Sequence, residues 1–327
     1  MSIRPDTLIN IINAQQNKYL VQSFMIQSRN IIFKGIRKFF PDQHDQNGEQ
    51  NVNQAQNSES LVFKLQEIHS PKDKDKYTRV HNILHKFLND PRVIKNKKVI
   101  DIHAIFNTYL MIPTKYYPNR DVLEYMTNNP LGIENHELIR IASFQALHIL
   151  VLLKNQEVVH NDFKFENLMV TEDPVINGPQ LPFYILVFDF DDAQVVDKNG
   201  KSDIKGGTKI FNAPEMQRSL PHDFSVDIWS LGVNIYYYLT CILPFNIDVH
   251  DSNDTIYMKT QEELENIDDS IPQDAFDVIK EMLKFKPEDR ITPEKALRMD
   301  WFNGLDPIVP MFVNDISTDS GEEDGPA

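Results

Sequence analysis

One stretch of the chain, VVHNDFKFENLMV, holds His160, Asp162, Lys164 and Asn167 in the order H-x-D-x-K-x-x-N. These residue types can do chemistry together. A carboxylate such as Asp162 can accept a proton from a hydroxyl, and an ammonium two residues on faces the same cleft and sets a compact positive charge beside an anion. An amide oxygen such as that of Asn167 suits a hard divalent cation. Further on, ILVFDFDDA ends an apolar strand, Tyr184 to Phe188, in Asp189, Phe190 and Asp191. GGTKIFNAPEM follows with Thr208 and Glu215, then SVDIWSLGV with Asp227 and KPEDRIT with Arg290. Each taken singly is an ordinary turn, loop or helix-start feature. Their joint order across residues 138–302 is what unrelated loops would not produce.

The elements that must hold these residues are legible in the periodicity. Short runs rich in Val, Ile, Phe and Tyr predict two paired strands from Tyr19 to about Phe40, with further strands at Leu61 to Leu65, Lys98 to Phe106 and Tyr109 to Pro113. A helical pattern runs from about Tyr77 to Leu88. After Asn119 the period becomes helical, most clearly in Glu137 to Leu153, where Leu138, Ile141, Ala142, Phe144, Leu147 and Leu150 form an apolar face. The expectation is an α+β chain. It has an extension at 1–18, a small antiparallel sheet with one helix over 19–113, a larger mainly helical lobe over 114–304 and an acidic tail at 305–327. Residues 41–60 are rich in Gln, Asn, Asp and Ser and cannot bury enough apolar surface to order themselves, so we read them as filler in a strand-connecting loop.

The segment His160 to Asn167 resembles the catalytic loop of eukaryotic protein kinases, Asp189 and Phe190 resemble the start of that family's D-F-G, and the later motifs resemble its A-P-E, D-x-W-S-x-G and closing Arg. The resemblance covers residues 19–304 and is strong after residue 137. It implies a two-lobed kinase fold with a hinge near Thr114 to Tyr117. It also implies transfer of the ATP γ-phosphate to Ser or Thr hydroxyls of a protein substrate. Such a reaction runs through a loose transition state and mainly needs an oriented hydroxyl, cations on the phosphate oxygens and exclusion of water. The implied roles are Asp162 as base, Lys164 as phosphate clamp with Thr208 beside it, Asn167 and Asp189 on magnesium, and Lys64 in SLVFKLQ on the α- and β-phosphates, with Thr114 and Tyr116 against ATP. Asp227, Glu215 and Arg290 take scaffold roles. Lysine at Asp162+2 together with Thr208 is the serine/threonine pattern. LTCILPF and MLKFKPEDRITPEKALRMDWF look most like the calcium/calmodulin-dependent branch, although the tail carries no basic helix.

The N-terminal third departs from the family pattern. Where a glycine-rich turn is expected, Ile26 to Phe33 reads IQSRNIIF, with Arg29 the one cation. The segment YTRVHNILHKFL contains no Glu or Asp, with Val80 or His81 in the expected place, so the carboxylate that orients the strand lysine is absent from it. Asn161 replaces the Arg that would receive an activation-loop phosphate. Asp191 replaces the Gly of D-F-G, and we read it as a surface-turn residue rather than a third metal ligand.

A formal charge of −15 argues against nucleic-acid and anionic-membrane surfaces, and the longest apolar run in the reading, Ile149 to Leu153, falls short of a bilayer span. Cys241 is the single cysteine, which rules out an internal disulfide and a multi-thiolate zinc cage; we read it as a core residue in a cytoplasmic or nuclear chain. Two rival readings stay open. One is a pseudokinase that binds nucleotide or acts as a scaffold; the other, disfavoured by A-P-E and DIWSLG, is a small-molecule kinase. In the tail, Ser320 before Gly321, Glu322 and Glu323 looks like an acceptor for an acidophilic kinase.

Overall fold

Five strands, β1 (Tyr19–Gln27), β2 (Asn30–Arg37), β3 (Ser60–Ile68), β4 (Ile100–His103) and β5 (Thr108–Lys115), form one antiparallel sheet in the order β1-β2-β3-β5-β4. The computed structural model describes residues 9–10, 12–14, 19–27, 30–37, 60–96, 100–103, 108–118, 121–128, 136–171, 181–248, 250–263 and 271–305. The insertion up to residue 59, Ser28 and Arg29, and the tail from residue 306, with Ser320, lie outside them.

Period-two alternation explains the sheet's two faces. In β3, Leu61, Phe63 and Leu65 are buried, whereas Val62, Lys64 and Gln66 project to the opposite side and line a cavity. Lys64 sits in register with Ile32 of β2 and Ile112 of β5, which line the same cavity. Gly35 of β2 is required by close approach: a Cβ there would lie 2.2 Å from the Leu20 carbonyl oxygen and 2.8 Å from the Phe63 ring. β5 runs through Pro113 to Lys115, so Thr114 lies in the strand and not in the hinge. Among the described residues β4 pairs with Thr108 to Met111, and Pro113 lies opposite Phe63 of β3.

The long helix of this lobe, α1 (Pro71–His85), begins well before the expected Tyr77. Its first turns, PKDKDK, carry no apolar periodicity, so the pattern could not reveal them. The Asp73 carboxylate accepts from the amides of Ser70 (2.8 Å) and His69 (2.9 Å), and Pro71 at the first helical position needs no donor. The chain after α1 then joins β8 (Tyr184–Val187) of the larger lobe: the Ile94 amide donates to the Val187 carbonyl at 2.9 Å and the Val187 amide to that of Arg92 at 2.8 Å. The helix is thereby tied to the strand that leads into Asp189.

The larger lobe contains α2 (Val122–Thr127), α3 (His136–Asn155), α4 (Pro214–Gln217), α5 (Ser225–Thr240), α6 (Asn253–Glu263), α7 (Gln273–Met282) and α8 (Pro293–Ala296). Two short antiparallel pairs, β6 (Val158–Val159) with β9 (Gln194–Val195) and β7 (Leu168–Thr171) with β8, carry the loops between lobes. α3 is apolar on nearly all sides because α5, α8, β6 and β8 pack around it. By length and composition α3 could cross a bilayer, contrary to the expectation from the sequence; here most of it is buried within the lobe. Cys241 is also corrected: it is exposed, in left-handed backbone (φ 60°) at the C-terminal cap of α5.

Candidate active site

The loop after β6 is fixed by buried hydrogen bonds. Asp227, in the first turn of α5, accepts the amides of His160 (2.8 Å) and Asn161 (3.0 Å), and the Asn234 amide oxygen accepts that of Phe165 (3.1 Å). Burial raises the pKa of Asp227, and the two amides and nearby His160 work against that. His160 packs against Phe163 and Phe190. The scaffold pair is also present: Arg290 donates twice to the Glu215 carboxylate, at 2.6 and 2.7 Å, in a buried fork.

On this support Asp162, Lys164 and Thr208 converge. The Thr208 hydroxyl donates to Asp162 Oδ1 at 2.8 Å, Lys164 Nζ donates to Thr208 Oγ1 at 2.5 Å, and Lys164 Nζ lies 3.2 Å from Asp162 Oδ2. Asp162 is 19% exposed and Lys164 17%, so both face solvent without being loose. Gly207 makes this approach possible: its φ is +81°, and a Cβ would lie 2.5 Å from the Asn161 carbonyl oxygen.

Asn167 and Asp189 come from adjacent loops. β7 and β8 pair with Leu168 opposite Val187, and the Phe188 amide donates to the Asn167 carbonyl at 3.1 Å. The Asn167 side-chain amide donates to the Asp162 carbonyl (2.8 Å) and to Asp162 Oδ2 (3.1 Å), which leaves its Oδ1 as the acceptor end. Asp189 holds left-handed backbone (φ 58°), a conformation Asp tolerates. Burial raises its pKa despite the opposing pull of Lys64.

A cavity of about 220 Å³ lies between the sheet and β7. Lys64, Thr114, Tyr116, Met169 and Asp189 are among its walls. The Tyr116 amide is already donated to the Ser60 carbonyl at 3.1 Å, so this residue offers the cavity its ring and not that donor. Lys64 Nζ lies 3.1 Å from Asp189 Oδ1 and 2.8 Å from Asp191 Oδ2. Burial alone would lower the pKa of Lys64, but the two carboxylates outweigh it and raise it. Asp191 is therefore corrected from surface turn to partly buried ion-pair partner. Burial works to raise its pKa, yet Lys64 and Lys76 together hold it below the usual range.

Among the described residues no three His, Cys, Asp or Glu side chains form a metal cage. A carboxylate from Asp189 and an amide oxygen from Asn167 nonetheless fit magnesium, which is held by few protein oxygens together with phosphate and water. The cation would also relieve the buried Asp189.

Asn161, in left-handed backbone (φ 65°), organises the segment after Asp191 without charge. Its amide nitrogen donates to the Asp192 carbonyl (2.9 Å) and Ser202 Oγ (3.2 Å), and its Oδ1 lies 2.7 Å from His222 Nε2. Ser202 and His222 exchange backbone bonds, and Ser202 Oγ donates to Gln194. The sequence reading missed Ser202, His222, Lys76 and Arg79, because nothing in a linear motif marks a neutral clamp or a cation facing inward from a helix.

The protein kinase domain family model matches residues 49–302, more than half of the chain. Among curated proteins, the chain is 29% identical over 214 residues to serine/threonine-protein kinase cds1 of Schizosaccharomyces pombe, covering 62% of this chain and 44% of that one. It is 29% identical over 224 residues to serine/threonine-protein kinase 33 of Bos taurus (64% and 44%) and 34% identical over 166 residues to serine/threonine-protein kinase D3 of Homo sapiens (50% and 18%). The chain spans less than half the length of these relatives.

Proposed function

The chain belongs to the protein kinase family, and from that premise we propose that it is an active serine/threonine kinase, transferring the γ-phosphate of ATP to Ser or Thr hydroxyls of proteins. The observation that carries this reading is the mutual contact of Asp162, Lys164 and Thr208 beside the Asn167 and Asp189 loops.

Asp162 takes the proton of the acceptor hydroxyl as its oxygen bonds to the γ-phosphorus and the bond from that phosphorus to the β,γ-bridging oxygen breaks, leaving ADP. Thr208 donates to Asp162 Oδ1 while Asn167 and Lys164 hold Oδ2, which fixes the orientation of the carboxylate. Lys164 sits within reach of both and neutralises charge on the transferred group. Lys64, on the cavity wall, faces the α- and β-phosphates, with Thr114 and Tyr116 walling the rest of the nucleotide. Asn167 and Asp189 would hold magnesium, which supplies charge neutralisation on the phosphate oxygens when bound.

The test uses labelled ATP with magnesium and a generic protein substrate. Asp162→Asn should lower incorporation by about a hundredfold or more, as expected for loss of a general base. Equal incorporation by the two proteins would remove the enzyme reading. One observation favours a nucleotide-binding scaffold instead: no carboxylate of α1 is found against Lys64. That reading expects ATP to raise the melting temperature of a protein that transfers no label.

A further inference from the structure

Lys64 needs an anchor, since an ammonium at the end of a four-carbon stem must be held in one place to meet a phosphate. α1 does not supply it. Asp73 is turned to the start of the helix, Asp75 is exposed, and the residues α1 presents to the cavity are Lys76, Tyr77, Val80 and Leu84. The carboxylate comes from the other side. Asp191 Oδ2 lies 2.8 Å from Lys64 Nζ and 3.2 Å from Lys76 Nζ, while Arg79 Nη2 of α1 donates to the Asp191 carbonyl at 2.6 Å. Between them Phe190 packs against Phe87 and His160, so the turn that carries Asp191 cannot swing freely.

We propose that Asp191 is the positioning residue for Lys64, and that it also clamps α1 to the loop carrying Asp189. The usual polarity is inverted: the helix contributes cations and the loop contributes the carboxylate. One anchor at Asp191 keeps Lys64 in place when Asp189 turns to other work. A neutral residue at 191 would leave Lys64 with Asp189 alone, and Lys76 with no acceptor in this cluster. The proposal rests on the ATP reading above.

Five proteins decide it: the parent chain, Asp191→Asn, Lys64→Met, the double variant of these two, and Asp191→Asn with Lys76→Glu, each titrated with a fluorescent ATP analogue and magnesium. Asp191→Asn should weaken binding about tenfold in the parent and have no further effect once Lys64 is replaced. A Lys76→Glu change added to Asp191→Asn returns a carboxylate to the helix side and should recover most of the loss. Hydrogen exchange should quicken in α1 of Asp191→Asn and stay unchanged in α5. Equal losses with and without Lys64, unchanged binding in Asp191→Asn, or unchanged exchange in α1 would each overturn the proposal. A parent that binds ATP with this coupling but transfers no label removes the kinase reading and leaves this one standing. A parent that transfers label while Asp191→Asn binds as well as it does removes only this one. A parent that binds no ATP removes both.

Discussion

The loop from His160 to Asn167 and the Lys64 cluster are held by different physics. Around Asp162 the supports are hydrogen bonds from Thr208 and Asn167 and one ion pair with Lys164, on a loop whose buried backbone amides are held by Asp227 and Asn234. Around Lys64 the supports are ion pairs between side chains that are 18% to 35% exposed, with two aspartates and two lysines sharing one patch. The first arrangement needs particular residue types at particular places. The second needs only that opposite charges meet, so a carboxylate can move from a helix to a loop without loss of the contact. The larger lobe keeps Asp162, Lys164, Asn167 and Asp189 in the order the resemblance implies, with Asn161 and Asp191 as departures, while in the smaller lobe no carboxylate of α1 meets Lys64.

The comparison can be broken most severely at the buried fork. Arg290→Met leaves Glu215 charged and unpaired, and should cost about 3 to 5 kcal/mol by denaturant unfolding, since removing one member of a buried pair strands the other. A smaller loss would mean that buried fixation contributes little to the stability of the larger lobe.

His148 offers a second probe of the same lobe. Burial, with repulsion from Arg92, pushes its pKa down to about 4. The unfolded chain takes up the proton near its ordinary 6.5 while the folded chain resists, so stability is unaffected above that pH and falls as pH drops from about 6.5 toward 4. The loss amounts to about 3 kcal/mol. Urea midpoints of the parent and His148→Phe across this range should diverge at acid pH; parallel curves would contradict the assignment.

Thr208 tests whether hydrogen bonding alone positions the base. Thr208→Ala should lower kcat by about ten- to a hundredfold with little change in KM for ATP, and Thr208→Ser should retain most of the rate. An equal loss in both variants would point to packing rather than to the hydroxyl.

The smallest effect concerns the neutral clamp at Asn161. Ser202→Ala removes its bonds to Asn161 and Gln194 and should cost about 1 kcal/mol. Because Asn161 is neutral and already bonded to Asp192 and Ser202, phosphatase treatment should leave turnover within about twofold. A collapse of activity after that treatment would show that charge, not the clamp, orders the segment.

Much of the site could be read in advance because its residues lie close in sequence. Asp162, Lys164 and Asn167 share one loop, and Asp189 ends a strand whose apolar run announces it. Lys64 was legible from the strand before it, since alternation in β3 dictates which side it faces. The extent of α1 was not, because its first turns are charged and carry no period. Thr114 lies within β5 because the strand continues past Pro113, where the sequence reading ended it, and Cys241 was misplaced because an apolar neighbourhood in sequence turned out to be a helix cap.

The sequence by itself determined the order of the elements, the alternation that aims Lys64 into the cleft, and the spacing that brings a base, a cation and an amide into one turn, because these depend on neighbours a few residues apart. Only the tertiary structure decided which carboxylate meets Lys64, which cations of α1 face inward, and that Asn161 closes on Ser202 and His222. Those contacts join residues from distant parts of the chain, and electrostatic attraction is set by distance in space, which no linear spacing records.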